Sequence, residues 1–115
     1  MTKIPMPGTP VRGSRSGSAI MALFDLLGRR WAMGVLWTLG ERGPSTFGEL
    51  EDACETISPA VLNTRLKELQ LAGLVARKGG SYLATAIGAE IHRGLLPLGA
   101  SAKKWARQVR AGASG

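Results

Sequence analysis

The sequence predicts a mainly α-helical fold carrying one small β-hairpin, and three observations support that expectation. Apolar residues recur at helical spacing over most of the chain from residue 18 onward. Residues 58–72 begin with Ser58-Pro59, where the serine can cap free amides and the proline fits a first helical position, and Gly73 follows as a stop. Lys78-Gly79-Gly80 then separates two short runs, 74–77 and 81–84, as a hairpin turn would. A short helix, the four-residue link 55–58, the helix 58–72 and a basic hairpin, in that order, form the pattern of a winged helix-turn-helix with a small β-hairpin wing. Residues 58–72 are its expected recognition helix.

Taken in order, residues 1–17 hold three prolines and three glycines, with Lys3, Arg12 and Arg15 as their only charged side chains. That composition predicts a flexible basic arm with no reason to pack. The folded domain is expected over 18–110, and 111–115 as a tail. Ser18 can cap a first helix in which Ile20, Leu23, Phe24 and Leu27 share a face, before Gly28 breaks it. A second helix over 30–39 places Trp31, Val35, Leu36 and Leu39 on one side, while Met33 and Trp37 widen its apolar surface so that more than one neighbour must cover it. Residues 40–44 read as a turn and 45–47 as a short strand able to pair with the wing. A third helix from about 48 to 54 turns Leu50, Ala53 and Cys54 inward.

In the recognition helix, Leu62, Leu66 and Leu69 form one stripe and leave Ala60, Asn63, Thr64 and Lys67 grouped on the other side. After the hairpin, Thr85 can cap a last helix over about 85–110. There Ile91, Leu95, Leu98, Ala102, Trp105 and Val109 recur at spacings of 4, 3, 4, 3 and 4, a heptad seam that we read as shared between two copies of the chain. Pro97 sits inside the seam and should bend or split the helix.

Fifteen Lys plus Arg against eight Asp plus Glu give a net charge of +7, which favours a polyanionic partner, double-stranded DNA above all. The charge is uneven: residues 41–64 carry Arg42 against Glu41, Glu49, Glu51, Asp52 and Glu55, and both flanks are basic. The acidic side of that segment must face away from a phosphate backbone. On the recognition helix Asn63, Thr64 and Lys67, with Ser58 and Ala60 nearby, are the expected base-reading residues. Asn63 leads them, because its amide can pair bidentately with adenine. Arg65, Arg77 and Lys78 are expected to hold phosphates.

Other chemistry finds little support. One cysteine makes no internal disulfide, which points to a reducing cytoplasm, with the nucleoid as the place of work. No apolar run approaches the roughly 18 residues that span a membrane. With His92 the sole histidine, no metal-ligand spacing, cofactor loop or nucleophile-base set can be assembled, so neither an enzyme nor a metal or cofactor site is expected. Two further readings remain open on the residues alone: a non-specific architectural DNA-binding protein, and a winged helix used to bind another protein.

With these elements in place the chain resembles the HxlR family of bacterial winged helix-turn-helix transcription regulators, relatives of the MarR group. The resemblance rests on DLLGRRW at 25–31, GPSTFGEL at 43–50, ISPAVLNTRLKELQLAGLV at 57–75 and TAIG at 85–88. It implies a dimer whose recognition helices enter successive major grooves and whose activity responds to a small molecule or stress signal. The chain departs from the pattern at three places. Ser18 stands where many members have a cysteine, the wing is shorter than the usual proline-containing hairpin, and Ala86 replaces the proline of Thr-Pro-x-Gly.

Overall fold

The structure is a computed structural model that describes residues 4–114. Among the described residues the elements run α1 (Ala19–Leu27), α2 (Ala32–Arg42), α3 (Phe47–Ala53), α4 (Pro59–Leu71), β1 (Val75–Lys78), β2 (Ser81–Ala84) and α5 (Ala86–Ser114). This is the mainly helical winged helix-turn-helix that the sequence predicts. Four of the five helices start on a hydroxyl cap, α2 being the exception. Ser18 accepts from the Met21 amide at 3.3 Å, Ser58 from Val61 at 3.2 Å, and Thr85 from Gly88 at 3.1 Å. Thr46 forms a reciprocal box with Glu49, its hydroxyl accepting from the Glu49 amide at 3.1 Å while the Glu49 carboxylate accepts from the Thr46 amide at 2.9 Å.

The core is centred on α2, which packs against α1, α3, α4, α5 and β2. Val35, Leu36 and Leu39 of α2 meet Leu50 of α3 and Leu62, Leu66 and Leu69 of α4, all fully buried. The stripe predicted for the recognition helix is therefore the stripe that packs. Leu74, Val75 and Tyr82 close the core from the base of the hairpin. In the hairpin Arg77 lies opposite Tyr82 and Lys78 opposite Ser81, leaving Gly79-Gly80 as the turn, with Gly79 at φ +63°.

Several expectations need correction. On α1 the buried residues are Ala22, Leu26 and Leu27, while Ile20 and Phe24 are exposed. Two adjacent apolar stripes run along this helix, and periodicity alone could not say which one the core takes. The second helix begins at Ala32, because Trp31 before it adopts φ +75°, and it runs through the anticipated turn to Arg42. Residues 45–47 form no strand; Ser45 makes a single bridge with Tyr82, and α3 starts at Phe47.

Residues 4–17 are not an unpacked arm. The Gly8 amide donates to the Gly17 carbonyl at 2.9 Å, the Arg12 amide to Asp25 Oδ2 at 3.1 Å, and Ile4 packs on the core. Short-range backbone and serine bonds do here what composition did not suggest. At the other end α5 continues through the expected tail to Ser114, and Pro97 leaves it unbroken although it removes one amide from the helical ladder. Residues 1–3 of the arm and residue 115 of the tail lie outside the described residues.

Candidate nucleic-acid interface

The α4 cylinder sorts its side chains by burial. Leu62, Leu66 and Leu69 turn to the core, and Ser58, Ala60, Asn63, Thr64 and Lys67 are all exposed on the outer surface. Their hydrogen-bonding states differ. The Thr64 hydroxyl donates to the Ala60 carbonyl at 3.0 Å, so what it offers outward is acceptor capacity. The Ser58 oxygen accepts the Val61 amide and keeps its own proton to give. Asn63 and Lys67 make no side-chain hydrogen bond or ion pair among the described residues, leaving the whole amide and the ammonium facing solvent.

Of the three residues expected at phosphates, two remain outward. Lys78 is exposed at the hairpin tip, and Arg77 beside it sets its guanidinium 5.3 Å from the centre of the Tyr82 ring. Tyr82 is itself fastened to the start of α3, exchanging backbone bonds with Ser45 at 2.8 and 2.9 Å, so the wing has a fixed base. Arg65 is different, being engaged within the protein as well as partly exposed. Its Nε donates to the Arg30 carbonyl at 2.7 Å, and its guanidinium pairs with Glu68 one turn further along α4. Those bonds hold Nε and Nη1 of the guanidinium against the protein.

Glu68 is the residue that sequence reasoning missed. Its side chain is only 4% exposed and it is gripped by Arg29 as well as Arg65. The signal was present but faint: Glu68 is the sole acid between residues 58 and 72, and it adjoins Leu69 of the buried stripe. On the neighbouring helix the acids stay outward. The carboxyl of Glu49 lies below its ordinary range, chiefly through the hydrogen bond from the Thr46 amide, then through that residue's hydroxyl and the charge of Arg42.

Two other features lie outside this face. An apolar cavity of about 420 Å³ opens between Pro5–Pro7 of the N-terminal segment, α1, the end of α4 and α5, with Ala22, Leu26, Ala72 and Ile91 in its walls. On α5 the heptad residues separate: Ile91 and Leu95 are half-buried against the domain, whereas Leu98, Ala102, Trp105 and Val109 are exposed, Trp105 to 67%.

Over residues 26–110 the sequence matches the HxlR-like helix-turn-helix family, and the matched span contains both the outward face of α4 and the hairpin. The chain belongs to the HxlR family. Its curated relatives are named HTH-type transcriptional regulators, and no helix among the described residues of this chain is long and apolar enough to cross a membrane. One curated relative, the uncharacterised HTH-type transcriptional regulator BH0655 of Halalkalibacterium halodurans, is 42% identical over 54 residues, which is 47% of this chain and 48% of that one. The chain spans about half the length of the curated relatives it matches. Among solved structures, the quinone-bound YodB of Bacillus subtilis superposes with a TM-score of 0.64 at 31% identity, covering 78% of this chain and 97% of that one. A possible HxlR family transcriptional factor from Thermoplasma volcanium gives 0.68 at 28% identity, covering 74% and 82%. In this HxlR-family chain Ser18 is the cap of α1.

Proposed function

We propose that this chain is a homodimer that binds double-stranded DNA and regulates transcription, with α4 in the major groove and the hairpin on the backbone beside it. The observation that carries this reading is the exposed face of α4. Ala60, Asn63, Thr64 and Lys67 are small or flexible and include no acid, and they stand on a helix whose opposite face is wholly committed to the core. Ser58 stands at the helix start, where recognition helices approach bases most closely. Arg77 and Lys78 supply phosphate contacts at the hairpin. The charge of +7 steers the approach, and the setting is the nucleoid of a bacterial cytoplasm.

Dimerisation is supported by the apolar surface that α5 leaves open. Leu98, Ala102, Trp105 and Val109 extend the line begun by Ile91 and Leu95, and a row of large exposed apolar side chains at heptad spacing fits a second copy of the same helix. Exposed Ile20 and Phe24 of α1 add to the apolar surface available for assembly.

Control by a small molecule is supported by the cavity beside α1. Cys54 is buried, and Ser18 offers no thiol, so a neutral apolar effector held without a covalent bond suits this chain better than thiol chemistry. Selection of bound sequences from genomic fragments, followed by affinity measurements on the selected and a scrambled duplex at one salt concentration, tests the reading. A strong preference supports a sequence-reading regulator, and equal affinity for both duplexes makes it an architectural protein instead.

A further inference from the structure

The single acid of the recognition helix points into the protein, and two guanidiniums converge on it. Arg29, in the link between α1 and α2, pairs with Glu68 Oε2, and Arg65, from α4 itself, pairs with Oε1. Arg65 also donates from Nε to the carbonyl of Arg30 at 2.7 Å. Residues 29 and 30 therefore hold α4 at two points, one through Glu68 and one through Arg65. The link that provides them is itself constrained, because Trp31, next in sequence, sits at φ +75°, a conformation a bulky aromatic keeps only where its surroundings impose it.

We infer that Glu68 is a positioning residue for sequence discrimination. It sets the rotation of α4 about its own axis and keeps Arg65 off the phosphate backbone. The inference rests on the DNA-binding reading above. At 3.6 residues per turn Glu68 and Asn63 lie about 140° apart around the helix, so a grip on one side fixes the direction in which the other side points. A buried carboxylate is stable only with its partners in place, which makes the grip nearly all-or-none. Without Glu68, Arg65 keeps its bond to the Arg30 carbonyl but loses its carboxylate partner, and its uncompensated charge adds affinity for any duplex and information about none.

The isosteric Glu68→Gln variant, kept well below its melting temperature and checked for helix content, is titrated with the selected duplex and a scrambled one over a series of salt concentrations. The ratio of the two affinities should fall on the order of ten-fold, the worth of one well-placed base contact. Binding to the scrambled duplex should strengthen, with a salt slope steeper by about one counterion as Arg65 loses its carboxylate partner. Adding Arg65→Gln should return the slope to the wild-type value and leave the ratio low.

Should Glu68→Gln fail to fold, Arg29→Ala retains the Arg65–Glu68 pair and should lower the ratio without steepening the slope. A purely structural Glu68 would lower the melting temperature and leave ratio and slope unchanged, which overturns the inference. A wild type with no preference for any duplex overturns the DNA-reading function beneath it as well, whereas a discriminating wild type with equally discriminating variants overturns this inference alone.

Discussion

The imidazole of His92 on α5 occupies the place that a side chain on Gly40 of α2 would need: a Cβ there would lie 2.2 Å from His92 Cγ and 2.4 Å from Cδ2. Trp37, one turn before Gly40, meets the same ring edge-on at 5.2 Å, and Glu41 Oε1 lies 3.3 Å from its Nε2. The joint between the core and the last helix is thus built on a missing side chain. Glycine inside a helix usually costs about 0.5–1 kcal/mol relative to alanine, so Gly40→Ala would stabilise an unobstructed α2. Here the overlap with His92 should reverse the sign and destabilise by roughly 1–3 kcal/mol. Denaturant midpoints at equal m-value decide it, and a more stable Gly40→Ala protein would show that the α2–α5 joint is looser than described.

The box between Thr46 and Glu49 makes α3 sensitive to acid. The Glu49 carboxyl is held below its ordinary range, first by the Thr46 amide, so its contribution is present above the ordinary glutamate value and is lost as pH falls through the lowered folded value. Glu49→Gln keeps an acceptor for the amide but no charge. Between about pH 3 and 6 its melting temperature should therefore vary less than that of the wild type. Parallel curves for the two proteins would remove Glu49 from the explanation.

If Leu98 and Trp105 belong to an interface between copies, replacing both by glutamate should give a monomer or an insoluble chain. Sedimentation of the wild type at micromolar concentration should show a dimer throughout. An intact, soluble wild-type monomer would return the outer half of α5 to ordinary solvent-exposed helix.

Cys54 is buried at the end of α3. Its thiol should react with a maleimide in the native protein only as fast as that helix opens, and promptly once the chain is unfolded. Immediate labelling of native protein would reopen thiol-based control.

The helical order and the recognition helix were legible because α4 carries every local signal at once: Ser58 and Pro59 at its start, Gly73 after its end and one unbroken leucine stripe. The hairpin followed from Gly79-Gly80 in the same way. What escaped notice depends on contacts between distant residues. The Arg29–Glu68 pair joins positions 39 apart, and charge in a sequence carries no mark of burial. Gly40 read as the start of a turn because its partner is His92, on another helix. The apolar stripes of α1 were both visible, but choosing between them requires knowing where α2 lies. The ordering of residues 4–17 rests on backbone bonds such as Gly8 to Gly17, which composition cannot foretell.

The central assignment, reading by α4 and holding by the hairpin, is tested most directly by titrating wild type, Asn63→Ala and Lys78→Ala against the selected and scrambled duplexes at several salt concentrations. Asn63→Ala should lose on the order of 1–3 kcal/mol on the selected duplex, relax preference at one base position and leave the salt slope nearly unchanged. Lys78→Ala should weaken both duplexes alike and reduce the slope by about one counterion. Equal losses on both duplexes for Asn63→Ala, with a loss of preference alone for Lys78→Ala, would contradict the assignment.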